Sequence, residues 1–323
     1  MALLGHGEAS VEGLAWSAAD KNRLVSVDCA GVCCLWDVGS TSNGSSSSKG
    51  GIRPGDFAPD GVQLASKTLQ MSPVRMRCPR EKRNASARLN DVEQHPHHPE
   101  LAVIAAEDSS CLLMDWRQET AVAATAAVEA AANAVSWSPQ EPCVFAIGDS
   151  SGTVSLFDTR CLRRSFLSLS VGYMQEGSTT QGASINTVHF HPDFAFLLGA
   201  AAEDGTVALW DVVAASGKQQ QNLDQQQDDK MQADGSTSEA SRSNSKGPPG
   251  LLFVHAGHSA PITDFCWRTA RVPPPNSSGS SSSSVYHLRQ SLLGASVSFD
   301  NKVQLWQPAE LVFCQTAQIN YVN

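Results

Sequence analysis

The residues with the means to do chemistry recur as a set. Five times along the chain an aspartate stands six or eight residues ahead of an aromatic: Asp28 and Trp36, Asp108 and Trp116, Asp149 and Phe157, Asp204 and Trp210, Asp300 and Trp306. A Gly-His pair precedes the first and the last of these, at Gly5-His6 and Gly257-His258. A carboxylate, an imidazole, a hydroxyl and an indole N–H within reach of one another form a run of hydrogen bonds, which ties strands together when it is buried and satisfied. The last set is the fullest, with His258, Asp300, Trp306 and either Ser296 or Ser298. Asp204 and Trp210 share its six-residue spacing without a Gly-His pair. Asp28, Asp108 and Asp149 stand at eight and read as turn formers.

These residues do not add up to catalysis. His189 and His191 flank Phe190, with no nucleophile tied to either. His95-Pro96-His97-His98 gathers imidazoles, but its prolines break metal-site geometry and no cysteine lies at ligand spacing, so it reads as a loop. No glycine-rich stretch follows a strand and opens a helix, so no phosphate loop is present. The expectation is a protein that is not an enzyme and uses no metal and no cofactor.

What positions these residues is a repeated unit. In VHFHPDFAFLLGAAAEDGTVALWDVV, Val188 to Val213, three short strands are separated by His191-Pro192-Asp193 and by Asp204-Gly205. Asp-Gly is a hairpin signal because glycine accepts positive φ without a Cβ clash. Strand, turn, strand, Asp-Gly, strand, Trp-Asp is the pattern of one propeller blade. Four further copies place the repeats at about residues 5–38, 91–117, 134–160, 185–213 and 258–308. Trp116 to Phe157 spans 41 residues, inside the roughly 40–45 of such repeats. Longer gaps hold low-complexity inserts at 39–51, 217–247 and 273–284, which read as loops at blade edges. The Ala-rich stretch Ala121 to Ala132 takes the place of an outer strand, and Leu251 to Ala256 fills the outer-strand role before Gly257-His258. Ahead of Gly5-His6 only Ala2-Leu3-Leu4 is left for that role. The fold class is all-β, a five-repeat propeller, expected to be an N-terminally incomplete part of a seven-bladed ring.

Composition narrows the partners. With 23 Lys and Arg against 32 Asp and Glu, the net charge of −9 disfavours a binder driven by phosphate neutralisation and favours basic partners. Nine cysteines without a CxxC pair read as reduced thiols. Cys33 and Cys34, adjacent in a strand, point to opposite faces. The N-terminus lacks the basic and apolar regions of a signal peptide, and no apolar run approaches the ~20 residues of a membrane helix. The basic run Arg75 to Arg88 reads as a nuclear localisation patch, as a local nucleic-acid contact or as a solvated loop.

The segment GPPGLLFVHAGHSAPITDF, Gly247 to Phe265, closely resembles the stretch before the last blade of the retinoblastoma-binding histone chaperone family. These are WD40 proteins that serve as the small subunit of chromatin assembly factor 1 and recur in other chromatin complexes. SVSFDNKVQLWQPAE, Ser296 to Glu310, is similar too, including Trp306-Gln307 where Trp-Asp is the rule. The resemblance implies a side pocket that clamps a helix of histone H4 between an N-terminal helix and a Pro-Pro loop. It maps to Pro248 and Pro249, with the acids Asp224, Asp228 and Asp229 of the preceding insert and Glu310 after the last blade. It also implies a flat-face site for basic peptides, whose acidic positions correspond here to Ser10, Asn90 and Ala131, with Glu12 nearby. The function so implied is a nuclear histone-binding scaffold with histones H3–H4 and chromatin-complex subunits as partners, and with no direct nucleic acid or membrane contact. Two alternatives stand beside it. Phe157-Asp158-Thr159-Arg160 fits the pattern of propellers that dock onto cullin ubiquitin ligases, through Asp158 and Arg160. A generic WD40 scaffold, such as one for ribosome biogenesis, is the other.

Overall fold

The computed structural model describes residues 2–4, 6, 8–37, 62–64, 67–70, 88–117, 123–124, 128–170, 182–217, 248–268 and 292–308. Five small antiparallel sheets follow one another along the chain. β1 (Ala2–Leu4) comes first, and the first sheet uses β2 (Val11–Trp16), β3 (Arg23–Asp28) and β4 (Val32–Asp37). β5 (Val62–Leu64) pairs with β1 in parallel, and β6 (Lys67–Gln70) is the outer strand of the first sheet. Ala2-Leu3-Leu4 thus joins a two-stranded ribbon and is not the outer strand of a blade.

The second sheet is β7 (Leu89–Gln94), β8 (Leu101–Ala106), β9 (Cys111–Asp115) and β10 (Ala123–Ala124), so the Ala-rich stretch contributes a two-residue outer strand. The third is β11 (Ala132–Trp137), β12 (Val144–Asp149), β13 (Thr153–Asp158) and β14 (Leu167–Ser170). The fourth is β15 (Ile185–Phe190), β16 (Leu197–Ala202), β17 (Val207–Asp211) and β18 (Leu251–His255). The fifth has three strands, β19 (Ile262–Trp267), β20 (Gly294–Ser298) and β21 (Val303–Trp306). One short helix, α1, covers residues 212–217. The chain divides into two compact units, Met1–Ser151 with Phe157–Ser165, and Gly152–Leu156 with Phe166–Asn323.

Alternation along each strand sends side chains to two faces, and both faces are used. In the first unit, Ala102, Ile104 and Ala106 of β8 pack towards Ala15, Val25, Val27 and Cys33 of the first sheet. The intervening Val103 and Ala105 pack with Ala132, Val135, Trp137 and Phe145 of the third. In the second unit, Ala201, Val207 and Leu209 of the fourth sheet pack with Ile262 and Phe265 of the fifth. Each large apolar side chain so buried contributes about 1.5–3 kcal/mol. Cys33 and Cys34 are both fully buried but in different clusters, as adjacent strand residues must be. Burial, followed by the neighbouring Cys34 and Asp28, pushes the Cys33 thiol well above its usual value.

The turn between the second and third strands of every sheet has one left-handed residue in the same place. It is Gly31, Gly152 and Gly205 in three sheets, and Ser109 (φ 67°) and Asn301 (φ 59°) in the other two. Register also corrects one assignment from sequence. Leu24 pairs with Trp36 and Leu198 with Trp210, and the matching partner of Ala102 is Met114. Met114, not Trp116, holds the closing position of the second repeat. Counted to Met114, Asp108 stands at six residues and belongs with Asp204 and Asp300.

Candidate partner-binding edge and the networks that hold it

Two hydrogen-bonded networks close the first and fifth sheets. In the fifth, His258 Nδ1 donates to Asp300 (3.1 Å to Oδ2), His258 Nε2 meets Ser296 Oγ at 2.9 Å, and Trp306 Nε1 donates to the same hydroxyl at 3.1 Å. Ser298 plays another part, donating to the Ala260 carbonyl. Burial alone would raise the Asp300 carboxyl. The His258 hydrogen bond, the amides of Ser259 and Lys302 and the His258 charge outweigh it and hold the group at about 2.

The first sheet has the same network, which the aspartate spacing did not reveal. His6 Nδ1 donates to Asp28 Oδ2 at 2.7 Å, His6 Nε2 meets Ser26 Oγ at 2.6 Å, and Trp36 Nε1 donates to Ser26 Oγ at 2.8 Å. Asp28 is fully buried and also receives the amides of Ala30 and Val32. It lies at the end of β3, two residues before the turn position that Asp300 occupies, and either place reaches the imidazole. The signal that separates these sheets from the rest is a Gly-His pair together with a serine ten residues before the closing Trp, Ser26 or Ser296. In the fourth sheet that place is Ala200, and the buried Trp210 Nε1 has no hydrogen-bond partner among the described residues. Asp204 is exposed there, and its carboxylate caps its own turn by accepting from the Thr206 amide and hydroxyl.

The histidines outside these networks also act on turns. His95 Nδ1 accepts the amides of His97 and His98 while Nε2 donates to the Pro142 carbonyl, and burial lowers its pKa. His191 Nδ1 accepts the Asp193 amide in the matching turn of the fourth sheet. Ser17 and Ser138 do the same with their hydroxyls in the first and third. Among the described residues no group of three His, Cys, Asp or Glu side chains could hold a metal ion.

In the second, third and fourth sheets the residue after the closing methionine or aromatic caps the next turn. Asp211 Oδ1 accepts the amides of Val213 and Ala214 and so opens α1. Asp158 accepts the Arg160 amide and is forked by its guanidinium, Nε to Oδ1 at 2.9 Å and a terminal nitrogen to Oδ2 at 2.5 Å. Asp115 and Arg117 repeat this arrangement at 2.9 and 2.6 Å, and the amides of Trp116 and Thr159 fill the same ladder position. The hydrogen bonds from their arginines hold both carboxyls below the usual range. The pattern therefore occurs in two successive sheets. Only one copy was legible while Trp116 was counted as the closing residue.

Pro248 and Pro249 stand on the outer edge of the fourth sheet. They lead into β18 through a tight turn in which the Leu251 amide donates to the Pro248 carbonyl at 3.2 Å. Gly250 makes this turn possible. Its φ is 77°, its carbonyl accepts the Asp211 amide, and a Cβ there would stand 2.5 Å from Ala215 Cβ. The Pro-Pro-Gly turn is thus seated on α1, where Pro249 and Val213 are both exposed. Asp224, Asp228, Asp229 and Glu310 lie outside the described residues. At the strand-start end, the equivalent positions are Ser10, Arg88, Ala131, Ser184 and Pro261, each accepting one amide from the neighbouring turn. Arg88 rather than Asn90 holds this place in the second sheet, and it pairs with Glu12 at 2.7 Å. Asn90 instead donates to the Ala132 carbonyl.

These repeated sheets, their common turn and the two His-Asp-Ser-Trp networks define a WD40-repeat protein. The model for the WD domain, G-beta repeat, matches residues 174–211. The chain is distantly related to histone-binding proteins of the retinoblastoma-binding type. It is 23% identical over 224 residues to "Histone-binding protein MSI1" of Saccharomyces cerevisiae, covering 68% of this chain and 38% of that protein. It is 26% identical over 136 residues to "Histone acetyltransferase type B subunit 2" of Debaryomyces hansenii, covering 42% and 27% respectively. The chain therefore spans well under two thirds of the length of either relative.

Proposed function

We propose that this chain is a nuclear, histone-binding WD40 scaffold that holds histones H3–H4 for chromatin-assembly or chromatin-modifying complexes and carries out no catalysis itself. The observation that carries the reading is the Pro248-Pro249-Gly250 turn. It is fixed against α1 on the edge of the fourth sheet and follows an insert rich in Asp and Gln. In the family this chain resembles, that edge grips a histone H4 helix. Net charge of −9 adds attraction for basic histone segments. Binding here needs no reacting group, only a rigid sheet edge, apolar cover from Pro249 and Val213, and acids at the rim. The full-length chain should retain H3–H4 in a pull-down, and Pro248→Ser with Pro249→Ser should weaken retention about tenfold while leaving the circular dichroism spectrum unchanged. Failure of the folded wild-type chain to retain H3–H4 sinks the reading.

The paired Asp-x-Arg clamps favour a second reading, a substrate receptor for a cullin ubiquitin ligase. Arg117 and Arg160 are mostly exposed yet held rigid by their own aspartates. Replacing both by Ala should abolish co-purification of ligase subunits and leave histone retention intact; unchanged co-purification removes the idea.

A further inference from the structure

The chain carries a net charge of −9, yet the link from β13 to β14 in the third sheet is basic. It runs Thr159-Arg160-Cys161-Leu162-Arg163-Arg164-Ser165-Phe166. Backbone bonds pin both ends. The Cys161 amide donates to the Asp158 carbonyl at 2.8 Å, and the Phe166 amide to the Leu156 carbonyl at 3.0 Å. Between these bonds, residues 162–165 belong to no strand. Arg163 and Arg164 are exposed, Ser165 is half-buried, and Phe166 is 48% exposed despite its large apolar ring.

Charge is unevenly spread along this link. Asp158 forks Arg160 and offsets it. The positive charge that is left belongs to Arg163 and Arg164, directly before the Ser165 hydroxyl. Phe166 sets an apolar ring directly after it. Charge patterns of this kind are how protein kinases select substrates: acidic pockets take cations ahead of the hydroxyl, and an apolar pocket takes the residue behind it. The pattern singles out one hydroxyl. Among the described residues, only Ser26 and Ser165 follow an arginine within three places, and Ser26 is 2% exposed and bonded to His6 and Trp36. Ser165 instead lies on a surface link at the outer edge of its sheet, where local opening costs least.

We propose that Ser165 is a phosphorylation site for an arginine-directed serine kinase. Ser165 Oγ attacks the γ-phosphorus of ATP bound to the kinase. The bond from that phosphorus to the β–γ bridging oxygen breaks, ADP leaves, and the hydroxyl proton passes to the kinase's catalytic carboxylate. The phosphoserine carries about −1.5 to −2 at neutral pH, which offsets Arg163 and Arg164 together. Modification therefore turns the link from basic to neutral, and an anionic partner drawn to it beforehand is no longer attracted. The site does not depend on histone binding at the Pro-Pro-Gly turn.

The test uses the folded full-length chain, MgATP and the catalytic subunit of cAMP-dependent protein kinase, an arginine-directed enzyme. Phosphate is mapped by mass spectrometry after cleavage with a glutamate-specific protease, which keeps Arg163, Arg164 and Ser165 on one peptide. Ser86 and Ser245, each with an arginine three places ahead in an insert, report that the kinase is active. The folded chain should gain phosphate at Ser165, and Ser165→Ala should remove that phosphate alone. Arg163→Ala with Arg164→Ala should lower kcat/KM at Ser165 about tenfold or more and leave the rate at Ser86 unchanged. The replaced arginines are exposed, so circular dichroism should be unaltered. Phosphate at Ser86 or Ser245 without phosphate at Ser165 overturns the proposal. So does phosphate at Ser165 only after heat denaturation, or a Ser165 rate indifferent to the two arginines.

Discussion

At the scale of the residue, one hydroxyl separates a closed network from an orphaned indole. Trp36 and Trp306 each donate to a serine, whereas Trp210 is as deeply buried and has Ala200 at the matching position. Ala200→Ser restores the acceptor at almost constant volume. It should stabilise the protein by about 0.5–1.5 kcal/mol, read as a higher denaturant midpoint at unchanged slope; a lower midpoint would show that the indole does not need the bond. Asp300 gives the pH counterpart. Its carboxyl is held at about 2, against about 3.9 in an unfolded chain. Folding therefore favours the ionised form, and the stability this adds is present above pH ~4 and is lost as pH falls through ~2. Asp300→Asn should flatten the fall in melting temperature between those pH values, and an unaltered profile would place the acid sensitivity elsewhere. The fifth-sheet network was legible in His258, Asp300 and Trp306. That of the first sheet was obscured because Asp28 reaches the same imidazole from the strand end, and linear spacing does not distinguish two aspartates that converge in space.

At the scale of the element, the turn between second and third strands is the most faithfully repeated piece of backbone, and its left-handed residue sets its cost. A non-glycine side chain in that conformation costs roughly 1–2 kcal/mol. Ser109 carries this cost in the second sheet, so Ser109→Gly should stabilise by up to about 1 kcal/mol. Gly205 is the opposite case, because a Cβ there would also stand 2.9 Å from the His258 carbonyl and 3.0 Å from that of Ala260. Gly205→Ala should destabilise by about 2 kcal/mol or more, measured by thermal or denaturant unfolding. Equal effects of opposite sign would mean that φ alone matters and that the close approach of the next sheet's Gly-His loop does not. Strand order within the repeats was legible because alternation, Asp-Gly and Trp-Asp all agree there. The closing position of the second repeat was not, since methionine fills it and a tryptophan two residues later imitates the motif. The outer strands were legible where they are apolar, as in Leu251–His255, and hidden where Ala123–Ala124 supplies only two residues.

At the scale of the whole molecule, charge and edge decide what the scaffold meets. Among the described residues, the apolar part of the surface that the family resemblance nominates is Pro249, Val213 and the start of β18. The net charge of −9 acts on every basic segment that approaches. On the function proposed above, long-range attraction raises the rate of encounter with histones, whereas seating on the Pro-Pro-Gly turn governs escape. The Debye length falls from about 14 Å at 0.05 M to about 4 Å at 0.5 M salt. Over that range the association rate of the chain with an H3–H4 preparation should fall about tenfold or more, while the dissociation rate changes less than about threefold. Surface-immobilised chain with injected histones reads both rates directly. Substituting Pro248 and Pro249 should reverse the pattern, raising the dissociation rate with little effect on association. If salt acted mainly on dissociation, the contact would be made by close ion pairs, and the apolar turn would not be the seat of binding.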